Sequence, residues 1–220
     1  QGQDTISGDA GEDEIGGGDG DDQIDGAASD DVITGDQGQD KLSGAEGDDE
    51  IHGGTGDDTI NGGGGNDLLF GEDNNDSING GGGNDRIEGG DGNDKLNGGG
   101  GLDVVIGGPG QDKIDGDPGD IIIQFTSLAD AGDEIINFDA DPDGGHDTID
   151  LDQLFDSLEN VRGGPFIQPR SALLSFSSSN GVIQLFIDDD ENVATAPVLL
   201  ATIATDGPLV VGQTLIVDSP

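Results

Sequence analysis

The chain contains no cysteine, methionine, tryptophan or tyrosine among its 220 residues. Without cysteine it can form neither a disulfide bridge nor a thiolate metal site. Only six lysines and arginines stand against 49 aspartates and glutamates, so the formal net charge is −43. This balance excludes nucleic acid as a partner and disfavours anionic membrane surfaces, since both need clustered basic residues. No apolar run approaches the roughly 18 residues of a membrane helix.

Glycine and carboxylates are concentrated in residues 1–124. This segment holds 36 of the 44 glycines and 32 acidic residues against four basic ones. Low hydrophobicity combined with high net charge is typical of disordered chains. The segment therefore needs a partner that neutralises its charge before it can fold.

A nine-residue pattern repeats through this segment, and Gly53–Asn61 is a representative copy. An aspartate precedes the aliphatic residue of each copy by two positions, except in the last copy, where Ile121 replaces it. A glycine precedes the aliphatic residue by seven positions in every copy from Ile15 onward. The 14 aliphatic residues are Ile6, Ile15, Ile24, Ile33, Leu42, Ile51, Ile60, Leu69, Ile78, Ile87, Leu96, Val105, Ile114 and Ile123.

Each copy predicts a short strand followed by a turn. In the triplet Thr59–Asn61 the aliphatic Ile60 points inward and its polar neighbours point outward, because side chains alternate along a strand. The remaining glycine-rich part of the copy is predicted to reverse the chain, since glycine tolerates positive φ. Two successive copies then complete one flattened coil. Stacked coils give two parallel sheets around a thin aliphatic core.

The aliphatic column is too thin to offset the entropy of ordering the segment, and its carboxylates repel one another. A divalent cation between successive coils reverses the sign of this electrostatic contribution. Ca²⁺ accepts six to eight oxygen ligands, including backbone carbonyls, whereas Mg²⁺ demands a stricter octahedron. The sequence therefore favours calcium.

The pattern Gly-Gly-X-Gly-(Asp/Asn)-Asp-X-aliphatic-X resembles the RTX (repeat-in-toxin) calcium-binding nonapeptide. This resemblance implies an all-β fold: a right-handed parallel β-roll of two short-stranded sheets over residues 1–124, followed by a smaller β-rich cap over residues 125–220. It also implies metal ligands at the sixth-position aspartates, which are Asp4, Asp13, Asp22, Asp31, Asp40, Asp49, Asp58, Asp67, Asp76, Asp85, Asp94, Asp103 and Asp112. Loop carbonyls are expected to complete each shell, as at Gly53, Gly56, Gly62, Gly65, Gly80, Gly83, Gly89 and Gly92.

The expected ions lie between loops that are two repeats apart, in two files along the edges of the roll. Eleven such positions exist in the repeats, and we expect about ten Ca²⁺ ions. Ser29 and Asn74 replace the fourth-position glycine and Leu102 replaces the polar fifth residue, which puts the sites beside those loops in question.

Residues 125–220 lose the nine-residue period and contain six of the seven phenylalanines. Strands are predicted there at Glu134–Phe138, Thr148–Leu151, Ala172–Ser177, Val182–Asp188, Val198–Ala204 and Leu209–Val217. The segments Gly132–Phe138 and His146–Leu151 resemble the end of RTX rolls, which implies a C-terminal type I secretion signal. Asp139, Asp141 and Asp143 before Gly144, with Asp147 and Asp150 after it, suggest a further calcium site or, alternatively, a solvated turn. Apolar residues flank the inward column late in the repeats, at Leu68, Phe70, Val104, Ile106 and Ile122, and predict a docking surface for this region.

No catalytic constellation is evident, and His52 and His146 are predicted to be surface residues. The chain begins part-way through a repeat at Gln1, which predicts a fragment of a longer protein. The resemblance implies a non-enzymatic, monomeric module for calcium-dependent folding and secretion, exported by type I machinery as part of a large adhesin at the bacterial cell surface. The alternatives are the C-terminal domain of a secreted protease, lipase or epimerase, and a ligand-binding roll.

Overall fold

The structure is a computed structural model, which describes residues 2–116, 119–139, 147–162, 174–179, 182–187, 198–205 and 215–216. Successive strands alternate between two sheets, so that strands two apart in sequence are neighbours in space. The first sheet contains, in spatial order, β1 (Thr5–Ser7), β3 (Gln23–Ala28), β5 (Lys41–Glu46), β7 (Thr59–Gly64), β9 (Ser77–Gly82), β11 (Lys95–Gly100), β13 (Lys113–Asp115), β15 (Asp133–Phe138), β19 (Val198–Thr205), β18 (Val182–Ile187) and β17 (Leu174–Ser179). The second contains β2 (Glu14–Asp19), β4 (Val32–Gln37), β6 (Glu50–Thr55), β8 (Leu68–Asp73), β10 (Arg86–Asp91), β12 (Leu102–Ile106), β14 (Asp120–Gln124), β16 (Thr148–Asp150) and β20 (Leu215–Ile216).

The repeat strands pair in parallel with a constant offset of two repeats. Ile60 of β7 lies opposite Leu42 on one side and Ile78 on the other. Two nonapeptides therefore make one coil, and the coils stack as a parallel β-solenoid of about seven turns. The predicted parallel roll of two short-stranded sheets is confirmed.

The predicted strand length is wrong, because most repeat strands are six residues long and the prediction was a triplet. In β7 the strand continues past Asn61 through three glycines to Gly64, and Gly63 and Gly64 pair with Gly81 and Gly82. Every coil repeats the same backbone course, so the glycines of one coil find matching partners on the next. Only the segment Gly65–Asp67 then separates β7 from β8.

The second position of the repeat has positive φ, which favours glycine. Gly63 has φ of 115° and Gly81 has φ of 108°, in the region that residues with a Cβ rarely adopt. Aspartate and alanine can also occupy this position, as Asp36 does at φ of 76°. The position therefore tolerates some substitution at a cost in backbone strain.

The core is a single column of aliphatic side chains enclosed by the two sheets. Ile33, Ile51 and Leu69 are fully buried, while residues on either side of them point outward. The same cluster continues past the repeats through Phe125, Phe138 and further buried residues up to Ile203. Both sheets thus extend into the C-terminal region, and the predicted division at residue 124 stays a prediction.

The C-terminal region adds a helix that the sequence analysis missed. This helix, α1, spans Asp152–Arg162 and places Leu154 and Phe155 in the core. A 3-10 turn at Leu128–Asp130 joins β14 to β15. No helix in the described ranges is long and apolar enough to cross a membrane.

Five predicted C-terminal strands overlap observed strands by most of their length. The predicted ranges Glu134–Phe138, Thr148–Leu151, Ala172–Ser177, Val182–Asp188 and Val198–Ala204 correspond, in this order, to the strands β15 to β19. Of the predicted strand Leu209–Val217, only Leu215–Ile216 is described. Asp141, Asp143 and His146 lie outside the described residues.

The late apolar flanks differ in their exposure. Leu68 is 40% exposed, and Phe70 stacks its ring on His52 at a centroid distance of 4.7 Å. Ile106 is buried at 8% exposure. The late apolar flanks are therefore buried at Ile106, toward the C-terminal end of the roll, and exposed at Leu68 in β8.

Candidate metal centre

The sixth-position aspartates lie at the turns between the sheets, and most of them are buried. Asp4 is exposed and Asp13 is half-buried. From the third copy onward every one of them is at most 2% exposed, which is unusual for a carboxylate. The buried members are Asp22, Asp31, Asp40, Asp49, Asp58, Asp67, Asp76, Asp85, Asp94, Asp103 and Asp112.

From Asp22 onward, one oxygen of each carboxylate accepts a hydrogen bond from the preceding coil. The backbone N–H of Asp58 donates to Oδ1 of Asp76 over 2.8 Å, and the N–H of Asp76 donates to Oδ1 of Asp94 over 2.8 Å. The same bond joins every pair of these aspartates that is two repeats apart, except where Ile121 should follow Asp103. These bonds form a ladder along each edge of the roll.

The other oxygen, Oδ2, is buried without a hydrogen-bond partner in eleven of the aspartates. A buried ionised carboxylate that lacks a partner is costly, because it has lost its hydration and gained nothing in exchange. Eleven such atoms in one small domain call for a common positive partner. The eleven aspartates are Asp13, Asp22, Asp31, Asp40, Asp49, Asp58, Asp67, Asp76, Asp85, Asp94 and Asp112.

A small space lined by oxygen atoms accompanies these Oδ2 atoms. If Gly62 carried a Cβ, that atom would lie 2.3 Å from Oδ2 of Asp67 and 2.6 Å from the carbonyl oxygen of Gly80. At Gly53 the corresponding distances, to Asp58 Oδ2 and Gly71 O, are 2.6 and 2.8 Å. The first-position glycine thus keeps open a cradle in which a carboxylate oxygen and a carbonyl oxygen converge.

The predicted glycines fall into two groups in this geometry. The carbonyl oxygens of the first-position residues line cradles of the preceding coil, and these residues are Gly53, Gly62, Gly80 and Gly89. The fourth-position glycines also pack closely against the neighbouring coil, since a Cβ on Gly56 would lie 1.7 Å from the carbonyl oxygen of Gly38. Gly65, Gly83 and Gly92 meet the preceding loop in the same way. The role of their own carbonyl oxygens as calcium ligands stays a prediction.

The two residues that replace glycine at the fourth position keep the backbone hydrogen bond to the next coil, but their φ values differ from those of the glycines. Ser29 and Asn74 both have φ of 85°, whereas Gly38 has φ of 147° and Gly56 has φ of 131°. The N–H of Ser29 still donates to the carbonyl of Glu46. Leu102 likewise keeps its backbone bond, to Oδ1 of Asn84.

The donor set fits a hard cation. Carboxylate and carbonyl oxygens are the ligands that Ca²⁺ prefers, and a site with no imidazole or thiolate offers little to zinc or copper. Within the described part of the chain, no three His, Cys, Asp or Glu side chains converge on one point. Each ion would therefore have to draw on backbone carbonyls as well as on carboxylates, as the cradles allow.

Burial raises the pKa of the sixth-position carboxyl groups from Asp40 to Asp112 when no metal ion is present. The pKa of Asp58 rises to about 7 and that of Asp94 to about 7, because each is desolvated and stands near the aspartates of the adjacent coils. The ladder bond from the preceding aspartate opposes this effect in both cases. The buried column thus disfavours its own charge.

Acidification is expected to stabilise the metal-free roll. Because the folded pKa values lie above the unfolded value of 3.8, the folded state binds more protons in the interval between them. The stabilisation is complete below about pH 4 and is lost as the pH rises through about 7. Far-UV circular dichroism in EDTA should show strand signal appearing as the pH falls from 8 to 5. An unchanged spectrum over that range would contradict the burial of these carboxylates.

Two buried aspartates outside the repeats occupy related positions. Asp133 accepts a hydrogen bond from the N–H of Asp112, and Asp147 accepts one from the N–H of Ile121. The sequence does not single out Asp133, and it offers Asp147 only as part of the further calcium site or solvated turn at Asp139–Asp150, because their spacings of 21 and 26 residues break the period. The flanking inward residues Ile135 and Ile149 could have revealed both, since each follows its aspartate by two positions as in the repeats.

His52 is held by acidic neighbours rather than by a catalytic partner. Its Nδ1 lies 2.9 Å from Oε1 of Glu72, and its Nε2 lies 3.1 Å from Oε1 of Glu50. Burial lowers the pKa of the imidazole, but its hydrogen bonds to the two glutamates raise it further, so the net direction is upward. The residue links β6 to β8 on the outer face of the second sheet.

The comparisons with known proteins place this geometry in a family. The chain matches the model of the RTX calcium-binding nonapeptide repeat over residues 1–24, 16–51, 43–78, 52–87, 70–105 and 88–120. No curated protein sequence matches it. Among solved structures it is similar to the solution structure of the AlgE6R3 subunit from the Azotobacter vinelandii mannuronan C5-epimerase, with 20% sequence identity and a TM-score of 0.23, over 91% of this chain and 80% of that one. Because the family model covers more than half of its residues, the chain belongs to the RTX calcium-binding nonapeptide-repeat family.

Proposed function

We propose that this chain is a calcium-dependent folding and secretion module. It stays unfolded at low cytosolic calcium and folds outside the cell, where calcium enters between its coils. The observation that supports this proposal most strongly is the set of eleven buried Oδ2 atoms without a hydrogen-bond partner. While the carboxylates are ionised, such atoms need a cation beside them.

The ligands in this proposal come from two columns. The sixth-position aspartates from Asp4 to Asp112 supply carboxylate oxygens, and the first-position glycines supply carbonyl oxygens. Bound calcium provides the positive charge that offsets the carboxylates. The protein's own part is to hold the oxygens at a fixed spacing through the Asp ladder and to keep the cradles open with glycine.

Calcium binding then supplies folding free energy. At a free concentration ten times its dissociation constant, one site contributes about 1.4 kcal/mol, so about ten sites contribute roughly 14 kcal/mol. This is as large as the total stability of an ordinary domain, about 5–15 kcal/mol. The sites share coils and carboxylates, so we expect them to fill cooperatively.

The dependence of folding on calcium also suits export through a channel. Extracellular calcium modules bind at about 0.1–1 mM, far above the free calcium of the cytosol. An unfolded chain of net charge −43 can be threaded through the type I secretion machinery, and folding outside opposes its return. Proteins of this family are typically secreted, and we place this chain, as a monomeric module, in a large adhesin at the bacterial cell surface. A secreted enzyme is the alternative parent, and the module would act identically there.

A calcium titration tests the proposal. Protein stripped of metal with EDTA at pH 7.5 is expected to give a disordered far-UV spectrum, and added Ca²⁺ should produce strand signal cooperatively over about 0.1–1 mM. Mg²⁺ at the same concentrations should produce much less, because it retains its water and demands an octahedral shell. A fully folded spectrum in EDTA at this pH would refute the proposal.

A further inference from the structure

The aspartate ladder continues past the last nonapeptide on the first-sheet side. Oδ1 of Asp133 accepts the N–H of Asp112 over 3.0 Å, as Oδ1 of Asp112 accepts the N–H of Asp94 over 2.8 Å. The next N–H along the chain, that of Glu134, donates to the carbonyl of Asp112 over 2.7 Å, as the N–H of Lys113 does to Asp94. Asp133, at 1% exposure, therefore takes the place of the next sixth-position residue.

The loop before Asp133 explains why this aspartate follows Asp112 by more than two repeats. The extra length forms the 3-10 turn at Leu128–Asp130, in which Asp130 accepts hydrogen bonds from the N–H and hydroxyl groups of Thr126 and Ser127. The carboxylate of Asp130 is thus occupied by its own turn. The insertion changes the spacing along the chain but keeps the register of the coil, because Ile114 lies opposite Ile135.

The interval between Asp112 and Asp133 contains an unpartnered oxygen. Oδ2 of Asp112 is buried and accepts no hydrogen bond. It lies 2.3 Å from the position that a Cβ on Gly107 would take, as Oδ2 of Asp67 does beside Gly62. The last nonapeptide thus presents the same unsatisfied group as the copies before it, and Asp133 is the carboxylate on the coil that follows.

A comparable cradle is rebuilt on the other edge, where Ile121 interrupts the aspartate column. A Cβ on Gly116 would lie 2.4 Å from Oδ2 of Asp147 and 2.9 Å from the carbonyl oxygen of Asn137. Oδ1 of Asp147 accepts the N–H of Ile121 over 3.2 Å, which continues the ladder. A glycine, a carboxylate oxygen and a carbonyl from the next coil therefore meet here as they do in the repeats. Oδ2 of Asp147 also accepts the N–H of Asp139 over 2.7 Å, a bond that the eleven unpartnered Oδ2 atoms of the repeats lack.

We propose that the calcium files extend beyond the nonapeptides, to one site between Asp112 and Asp133 and one at the cradle formed by Gly116, Asn137 and Asp147. This inference rests on the proposed function of the repeats. It adds that calcium joins β15 and β16 to the roll. The C-terminal region then folds onto a roll that is already loaded, and its attachment depends on the same ion.

The test uses the full 220-residue chain with isosteric substitutions. Asp133→Asn keeps an oxygen to accept the N–H of Asp112 but removes the charge. Asp94→Asn is the same change within the repeats, and Asp91→Asn is the control on an exposed aspartate outside the column. Bound Ca²⁺ per chain is measured by equilibrium dialysis, and hydrogen–deuterium exchange is followed at saturating Ca²⁺ in peptides covering β15 and β16 and in peptides covering β5 to β11.

Asp133→Asn is expected to bind one ion fewer than the wild type and to lose protection in β15 by about tenfold, with protection from β5 to β11 retained. Asp147→Asn should act in the same way on β16, which gives a second variant if Asp133→Asn unfolds more widely. Asp91→Asn should match the wild type. An unchanged ion count in Asp133→Asn and Asp147→Asn, while Asp94→Asn loses an ion, would overturn this inference and leave the proposed function intact. Absence of calcium binding by the wild type would overturn both.

Discussion

Replacing Gly80 with alanine is expected to destabilise the calcium-loaded roll strongly, whereas the same change at Gly82 should have little effect. Both glycines lie in β9, and neither has positive φ, so a difference between them does not come from backbone strain. A Cβ on Gly80 would lie 2.3 Å from Oδ2 of Asp85 and 2.4 Å from the carbonyl oxygen of Gly98. A Cβ on Gly82 would meet nothing within 4 Å. The methyl group thus fills one cradle in the first variant and none in the second.

The size of the effect follows from two contributions. Forcing a methyl group into a packed site costs about 1–3 kcal/mol, and the calcium ion that the cradle would have held is lost as well. Gly80→Ala should therefore melt at least 5–10 °C below the wild type in calcium, taking roughly 2–4 °C for each kcal/mol in a chain of this size. Scanning calorimetry with equilibrium dialysis measures both quantities. Equal melting temperatures and ion counts for the two variants would mean that the cradles hold no ion.

Asp67→Asn is expected to have opposite effects on the two states of the roll. Oδ1 of Asp67 accepts the N–H of Asp49 over 2.9 Å, and the asparagine oxygen can take over this bond. Oδ2 is buried without a partner, and desolvation raises the pKa of the group despite that bond. Removing the charge should therefore stabilise the metal-free fold. In calcium the same change removes a charged ligand and should destabilise the fold.

The two states are measured separately. In EDTA, folding can be driven with trimethylamine oxide, which favours burial, and Asp67→Asn should fold at a lower concentration of this osmolyte than the wild type. In calcium, Asp67→Asn should need more Ca²⁺ to reach half of its strand signal. Asp57→Asn is the matched control, because Asp57 is exposed although it too accepts a backbone N–H from a neighbouring coil, in its case that of Asn75 in the next coil. A shift in the same direction in both conditions would contradict a role for Asp67 as a calcium ligand.

The repeat makes much of the fold predictable from the sequence. An exact period fixes which residues stack, so the inward column at Ile60 and Ile78 and the parallel pairing of alternate repeats follow from the spacing alone. The period says less about where a strand ends. Gly62–Gly64 have no side chains that favour strand structure, and they are strand because each coil offers the next an identical backbone.

The sites beyond the repeat depend on contacts that the period does not encode. Asp133 stands in register with Asp112 only because a 3-10 turn absorbs the extra residues between them. Asp147 takes the place of the aspartate that is missing at Ile121, although it lies 26 residues further along the chain. The helix Asp152–Arg162 follows directly after a strand that resembles the repeats, so its position is decided by packing of Leu154 and Phe155 into the core.

The most direct test of the central claim is a crystal structure grown in calcium, with anomalous differences measured at a wavelength where calcium scatters. The account predicts anomalous peaks in two files along the edges of the roll, each peak within about 2.3–2.6 Å of an aspartate Oδ2 and a first-position glycine carbonyl. Asp67 and Gly80 should share one such peak. Cradles that contain only water, or Oδ2 atoms that instead pair with another group of the protein, would contradict it.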